Sequence, residues 1–279
     1  MFKSSVRMLV ALLLLSAINA GLAPLAHAES LRIGGTGAAL GTMHLLAKAF
    51  TRKHQAATIE VLPSLGSGGG IRALAAGSID LAVSSRDLKE AEQAQGLQTK
   101  AYGKTALVFA TNSDNSVDGI TSAELVAVFG GTQGAWPNGT PARPILRPKV
   151  ETDTKLAENH IPGLREAFES ARNRPAVPTY FTDQEIADAL ERIPGSMGTI
   201  SLSVILSEKR ALKALALDGR VATPQSIADD SYPITKMLYF VLPLTPSQFA
   251  QDFLDFAFSA VGRAIIENTG HQALPAVSG

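Results

Sequence analysis

Short apolar runs alternate with helical patterns along the first third of the chain. Leu31-Arg32-Ile33 and residues 58–62 have the apolar and polar alternation of strands, and Leu81-Ala82-Val83 is a short apolar run typical of a buried strand. Residues 41–50 and 71–76 have the spacing of helices. Strands that alternate with helices pair in parallel within layered α/β structures. We therefore predict an α/β fold with mostly parallel sheets flanked by helices.

The later apolar pattern predicts a second lobe and two crossings between lobes. The strand 105–110 runs into a polar segment, and a helix over 121–128 starts at Thr121 and stops at Gly130-Gly131. The chain returns before a long apolar strand over 237–241. These patterns predict one lobe of residues 29–110 and 230–279 around a second lobe of residues 111–229. The two crossings are predicted hinges.

Three polar loops follow the predicted strands of the first lobe: residues 35–39, 66–70 and 84–86. Ligands of such sheets gather outside the carboxyl ends of the strands, so we expect the loops to converge there. Glycine-rich turns that lead into helices direct backbone N–H groups toward anions. Hydroxyl donors come from Thr36, Ser67, Ser84 and Ser85, so the sequence favours an anion site at this edge.

The first 28 residues have the pattern of a secretion signal. Lys3 and Arg7 precede an apolar run over residues 8–17, and Ala26-His27-Ala28 supplies the small residues of a cleavage site. The alternative, a membrane anchor, needs about 20 apolar residues, and this run is shorter. We predict cleavage after Ala28 and a periplasmic mature protein. The absence of cysteine excludes a lipid anchor.

Composition narrows the function classes. The chain has 279 residues, and loss of Lys3 and Arg7 leaves 23 basic against 25 acidic residues. A nearly neutral chain without a basic stripe argues against nucleic acid as a partner. Thiolate sites are excluded, and four dispersed histidines match no metal-ligand spacing. They are His44, His54, His160 and His271, and we predict them to be solvated or half-buried.

Enzyme motifs are incomplete. Residues 35–40 lack the last glycine of a dinucleotide loop, and no ribose-binding acid is evident near the end of the next strand. Gly66-Ser67-Gly68 lacks the spacing of a nucleophile elbow, and Gly195-Ser196-Met197-Gly198 precedes a strand. A metallohydrolase would need clustered histidines and carboxylates. These observations favour a binding protein without cofactor, and a structural or adhesive secreted protein remains an alternative.

The second lobe supplies a candidate anion ligand in Arg147 and a polar turn over residues 151–154. A guanidinium matches two oxyanion oxygens, and Thr152 and Thr154 are donors at a helix start. The alternative is that Arg147 is a surface charge and that Thr152 or Asp153 only caps the helix. The residues alone leave both interpretations open.

Several segments together resemble the PstS-like phosphate-binding proteins of ABC importers, which have a two-lobed periplasmic-binding-protein fold. They lie in the same order along almost the whole mature chain. They are Gly35-Thr36-Gly37-Ala38, Gly66 to Ile71 with Ala76 to Asp80, Ser84-Ser85-Arg86, Arg147 to Thr154, Pro194 to Ile200, Tyr232-Pro233, Phe258 to Gly262 and Gly270 to Pro275.

The resemblance implies a phosphate held between the lobes without water. By position, the implied ligand groups are the amides of Ala39 and Leu40, with Ser67, Arg147, Thr152 and Thr154. Thr36, Ser85, Arg86 and Asp153 are further candidate ligands. A family threonine falls at Ala39, the family's proton-accepting aspartate falls at Ser85, and a family glycine falls at Asp153. We hypothesise that Asp153 has taken over the acceptor role, and helix capping is the alternative. The implied partner is the membrane permease of an ABC importer, and we expect a monomer.

Overall fold

The computed structural model describes residues 29–54 and 56–275. The predicted signal peptide, residues 1–28, and its cleavage after Ala28 lie outside these described residues. Within the described ranges, no helix has both the length and the apolar character needed to cross a membrane.

Strands and helices alternate along the described chain. The strands are β1 (Ser30–Gly35), β2 (Thr58–Val61), β3 (Leu81–Ser84), β4 (Leu97–Asn112), β5 (Gly119–Ile120), β6 (Arg143–Pro144), β7 (Ser196–Ser201), β8 (Leu212–Ala214), β9 (Ala216–Leu217), β10 (Thr235–Pro243) and β11 (His271–Ala273). The helices are α1 (Gly37–Thr51), α2 (Gly66–Ala75), α3 (Glu90–Gln93), α4 (Ser122–Gly130), α5 (Thr152–His160), α6 (Leu164–Arg172), α7 (Asp183–Arg192), α8 (Leu202–Ser207), α9 (Pro224–Ala228), α10 (Gln248–Phe258) and α11 (Ala260–Asn268). The predicted α/β class is confirmed.

One large sheet contains both parallel and antiparallel pairs. Its strands lie in the order β2-β1-β3-β10-β4-β7-β6, and β8 and β11 also pair with β4. β1 is parallel to β2 and β3, and β6 is parallel to β7. β10 inserts between β3 and β4 and runs against both. The sheet is therefore mixed, which corrects the predicted mostly parallel arrangement.

Strand β4 is shared between two groups of strands. Residues 97–106 pair with β10, and residues 107–110 pair with β7. The apolar core divides at a similar place: one cluster lies within residues 106–234, and another lies within residues 31–102 and 238–273. The change of partners thus falls a few residues before the predicted crossing at residue 110.

Two helices begin earlier than predicted, and both begin at a glycine. α1 starts at Gly37 instead of residue 41, and α2 starts at Gly66 instead of residue 71. Glycine disfavours helices, so the sequence pattern hides these first turns. Close packing explains one glycine in α2, because a Cβ on Gly70 would lie 2.6 Å from the Cα of Gly35. A larger side chain there would push α2 away from the end of β1.

Candidate functional site

The loops that follow β1, β2 and β3 meet at one edge of the sheet. The Thr36 N–H donates to the carbonyl oxygen of Val83 over 2.9 Å. The Leu65 N–H donates to the carbonyl oxygen of Gly35 over 3.0 Å. These bonds join the ends of β1 and β3 to the segment before α2. The predicted convergence of the three loops is confirmed.

Two of the predicted hydroxyl ligands touch each other. Ser67 lies in the first turn of α2, and its Oγ is 3.0 Å from the Oγ of Ser85. The Ser85 N–H also donates to Ser67 Oγ over 3.0 Å. Ser85 is buried and Ser67 is half-buried. Because each hydroxyl has one donor and two acceptor sites, the pair keeps capacity for a further hydrogen bond.

The first loop is shorter than expected, so Ala39 and Leu40 lie in the first turn of α1. Both residues are buried, as is Thr36. The Ala39 N–H donates to the Thr36 carbonyl oxygen over 3.1 Å, so this amide has a partner within the turn. The first turn of a helix still attracts anions through its positive end. Anion binding by the Ala39 and Leu40 amides stays a prediction.

An acid holds the guanidinium of Arg86. Nη1 donates to Oε2 of Glu92 over 2.8 Å, and Nη2 donates to Oε1 over 2.7 Å. The hydrogen bond from Arg86 lowers the pKa of the Glu92 carboxyl to about 2. An anion at this edge would therefore compete with Glu92, and the role of Arg86 as a ligand stays a prediction.

Arg147 lies between β6 and α5 with only 5 % of its surface exposed. Its Nη2 is 3.7 Å from Oε2 of Glu151 and 3.7 Å from Oδ2 of Asp183. Burial lowers the pKa of Arg147, but the surrounding carboxylates, Asp183 foremost, outweigh burial and raise it. Among the described residues, Nε and Nη1 have no hydrogen-bond partner. The alternative in which Arg147 is a surface charge is wrong.

The two threonines of the predicted turn begin α5. Thr152 is the first residue of the helix and is half-buried. Thr154 is buried, and its Oγ1 donates to the carbonyl oxygen of Pro148 over 3.0 Å. The Thr154 hydroxyl thus fixes the approach to the helix, and binding of an anion by either threonine stays a prediction.

Asp153 faces a lysine that the sequence analysis missed. Asp153 is 3 % exposed, and its Oδ1 forms an ion pair with Nζ of the buried Lys236. Burial raises the pKa of Asp153, but Lys236 and then Arg147 outweigh burial and lower it. Glu151 occupies the N-cap position of α5. Asp153 therefore does more than cap the helix, and its role as the proton acceptor stays a prediction.

Strand β10 brings Lys236 to the edge where the loops gather. β10 is antiparallel to β3, and Tyr239 lies opposite Ser84. Lys236 precedes Tyr239 and therefore lies beyond the carboxyl end of β3, where Ser85 follows. A single lysine at the start of an otherwise apolar strand is the signal that could have identified it.

A second missed residue, Asp183, lies between two helix N-termini. It is the first residue of α7 and is 4 % exposed. A Cβ built on Gly37, at the start of α1, would lie 2.7 Å from Oδ2 of Asp183. Only glycine permits this approach. Asp183 thereby connects Arg147 to the first turn of α1.

We call five residues the charged cluster, because they form two groups of ion pairs that lie close enough for Asp153 to raise the pKa of Arg147. They are Arg147, Glu151, Asp153, Asp183 and Lys236. The structure therefore brings the predicted Arg147 and Asp153 together with two acids and a lysine that the sequence analysis did not select. Asp183 places this cluster against the first loop.

The described residues contain no group of three or more histidine, cysteine, aspartate or glutamate side chains suited to a metal ion. One histidine differs from the prediction: His271 is fully buried, whereas His44, His54 and His160 are exposed. Burial lowers the pKa of His271 to about 4, against the hydrogen bonds at Ile266 and Thr269 that raise it.

The family model described as the PBP superfamily domain matches residues 23–261. The phosphate-binding protein PstS of Borreliella burgdorferi is 24% identical over 74% of this chain and 76% of its own length. Protein SphX of Synechococcus elongatus is 24% identical over 98% of this chain and 87% of its own length.

A solved structure from Clostridium perfringens, named for phosphate ABC transport and containing bound phosphate, superimposes with a TM-score of 0.74. Its identity is 21%, and the match covers 88% of this chain and all of the other. That similarity shows the fold. The comparisons confirm the predicted resemblance to the PstS-like proteins.

Proposed function

Because the chain belongs to the family of the PBP superfamily domain, we propose that it captures a small oxyanion, phosphate first, between two lobes. The proposed lobes are residues 29–110 with 230–279, and residues 111–229, with hinges where the chain crosses between them. We assign the protein to the periplasm as a monomer without cofactor. Its partner is the membrane permease of an ABC importer, to which it delivers the anion.

The observation that carries this proposal is the state of Arg147. A buried guanidinium leaves two nitrogens without a hydrogen-bond partner among the described residues. Unpaired buried charged donors are costly, and buried polar groups are normally satisfied. A bound oxyanion supplies charged acceptors for both nitrogens.

The surroundings of Arg147 favour a small anion. α1, α5 and α7 each begin beside the charged cluster, and helix N-termini attract negative charge. The hydroxyl pair of Ser67 and Ser85 lies at the loop edge, on the side of β3 toward which β10 brings Lys236. Phosphate is the first candidate because relatives at 24% identity include a protein named for binding it.

We propose binding without turnover. Ser67 and Ser85 are the predicted ligands that most resemble nucleophiles, and their hydroxyls contact each other instead of a base. A serine nucleophile needs an adjacent general base to be activated. The relatives named for phosphate are likewise described as binding proteins.

Replacing Arg147 tests the proposal directly. Charge-assisted hydrogen bonds contribute about 1.5–3 kcal/mol each, so we expect Arg147→Ala to weaken phosphate binding about a hundredfold. Ser67→Ala removes a neutral hydroxyl and should weaken binding less. Isothermal titration calorimetry with inorganic phosphate measures both changes.

The matched control is Arg165→Ala, because the Arg165 side chain is 59% exposed and lies outside the charged cluster. Arg165→Ala should bind phosphate like the parent. Thermal unfolding of each variant separates loss of the site from loss of the fold. If folded Arg147→Ala binds phosphate as tightly as the parent, Arg147 is not a ligand.

The choice between phosphate and sulfate tests Asp153. At neutral pH phosphate carries a proton and sulfate carries none, so a buried carboxylate acceptor accepts phosphate and repels sulfate. We expect the parent to bind phosphate and not sulfate, and Asp153→Asn to gain sulfate binding. Calorimetry with each anion measures this preference.

Glu166→Gln is the matched control, since it removes the same charge from an exposed residue outside the charged cluster. It should keep the preference for phosphate. A parent that prefers sulfate contradicts the phosphate assignment. If Asp153→Asn leaves both the affinity for phosphate and the rejection of sulfate unchanged, Asp153 is not an acceptor.

A further inference from the structure

The charged cluster contains more acidic than basic side chains, although the proposed ligand is an anion. Two cations, Arg147 and Lys236, stand among three carboxylates, those of Glu151, Asp153 and Asp183. An anion bound at Arg147 thus enters a site in which the fixed charges are already negative. Repulsion by these acids grows with the charge of the anion, so a monoanion is favoured over a dianion.

The unpaired atoms of the cluster include both donors and acceptors. Within the described residues, Nε and Nη1 of Arg147, Oδ2 of Asp153 and Oδ1 of Asp183 are buried without a hydrogen-bond partner. The two nitrogens require acceptors, and the two carboxylate oxygens require donors. A ligand that forms hydrogen bonds with all four atoms therefore needs two O–H groups in addition to its acceptor oxygens.

From this inventory we propose that Asp183 is a second proton acceptor beside Asp153, and that the site selects the monovalent form of phosphate with two O–H groups. The inference rests on the proposed function. Asp183 then determines specificity: each carboxylate accepts one ligand O–H, and Arg147 donates to the remaining oxygens. A ligand with a single O–H leaves one buried carboxylate oxygen unpaired.

Gly37 fixes Asp183 in this position. The first turn of α1 approaches the carboxylate so closely that a Cβ on Gly37 would also lie 2.8 Å from the Cβ of Asp183. The charged and titratable groups around Asp183 come from its own helix, from the α5 start, from β10 and from the end of α8. They are Glu185, Arg147, Glu151, Asp153, Lys236, Glu208 and Arg210.

The pH dependence of phosphate affinity tests the inference. We expect the affinity of the parent to fall about tenfold for each pH unit above the second pKa of phosphate, because the form with two O–H groups declines in that proportion. Calorimetry with inorganic phosphate between about pH 6 and pH 9 measures this slope. A parent affinity that does not change across this range overturns the inference without any variant.

Asp183→Asn identifies the responsible group. The amide can donate to a deprotonated oxygen, so the slope of this variant should be flatter than that of the parent. Glu166→Gln removes an equal charge from an exposed residue of α6, outside the charged cluster, and should retain the parent slope. If folded Asp183→Asn keeps the parent slope, Asp183 is not the acceptor. A parent that binds no phosphate at any pH contradicts the proposed function itself, which is a distinct outcome.

Discussion

Lys236→Met is expected to destabilise the protein by about 3–5 kcal/mol, because it leaves a buried carboxylate without its cation. Lys236 is 5 % exposed and Asp153 is 3 % exposed, so water does not replace the lost partner. Methionine keeps much of the length and volume of lysine, which limits the contribution of a cavity. Urea unfolding at neutral pH, followed by circular dichroism, measures the change in the free energy of unfolding.

Two controls separate the buried ion pair from other effects. In the double variant Lys236→Met with Asp153→Asn the buried charge is gone, and much of the lost stability should return. Lys149→Met breaks the pair with Glu169, in which the Lys149 side chain is 66% exposed, and should change stability little. A Lys236→Met variant as stable as the parent would show that Asp153 does not depend on Lys236.

Helices with local start and stop signals could be predicted from the sequence. α4 is predicted over residues 121–128, with a start at Thr121 and a stop at Gly130-Gly131. In the structure the Thr121 hydroxyl accepts from the Glu124 N–H, and Gly131 adopts the left-handed conformation. The sequence also predicts a helix over residues 183–192 with Asp183 as its cap. α7 is found there, but its cap is Thr182. These start and stop signals act within a few residues of the helix ends, so the segment itself contains the information that predicts the helix.

The starts of α1 and α2 could not be predicted in this way. Gly37 and Gly66 to Gly70 have low intrinsic helix preference, and tertiary packing overrides it. Gly70 packs on Gly35, and Gly37 packs on Asp183. These contacts join segments far apart in the sequence, so the local pattern showed glycine loops where the structure has first turns of helices.

The residues of the candidate site also differ in whether a local sequence pattern predicts them. Ser67, Ser85 and Arg147 follow recognisable strand and loop patterns, and the structure places them at the loop edge or in the charged cluster. Lys236 is 83 residues from Asp153 in the sequence, and no short motif connects them. Asp183 has the pattern of an ordinary helix start. Its second role, against Arg147 and Gly37, depends on how the two parts of the chain pack.

A large effect of pH on stability is expected from His271. Its ring is fully buried, Nδ1 lies 3.0 Å from the Ile266 carbonyl oxygen, and Nε2 has no partner among the described residues. Burial lowers its pKa from 6.5 to about 4. Between these values the unfolded chain binds a proton that the folded chain does not, so the unfolded state is favoured as pH falls. The free energy of unfolding should fall by about 3 kcal/mol from neutral pH to about pH 4.

A comparison of variants assigns this loss to His271. Carboxylates also make the free energy of unfolding depend on pH in this range. His271→Gln has no titrating ring, so its free energy of unfolding should fall by about 3 kcal/mol less than that of the parent between about pH 7 and pH 4. The exposed His44→Gln is the matched control and should follow the parent. Urea unfolding at several pH values in this range measures all three proteins. If the free energy of unfolding depends on pH equally in the parent and in His271→Gln, His271 is protonated in the folded state as readily as in the unfolded chain. Solvent would then reach its ring.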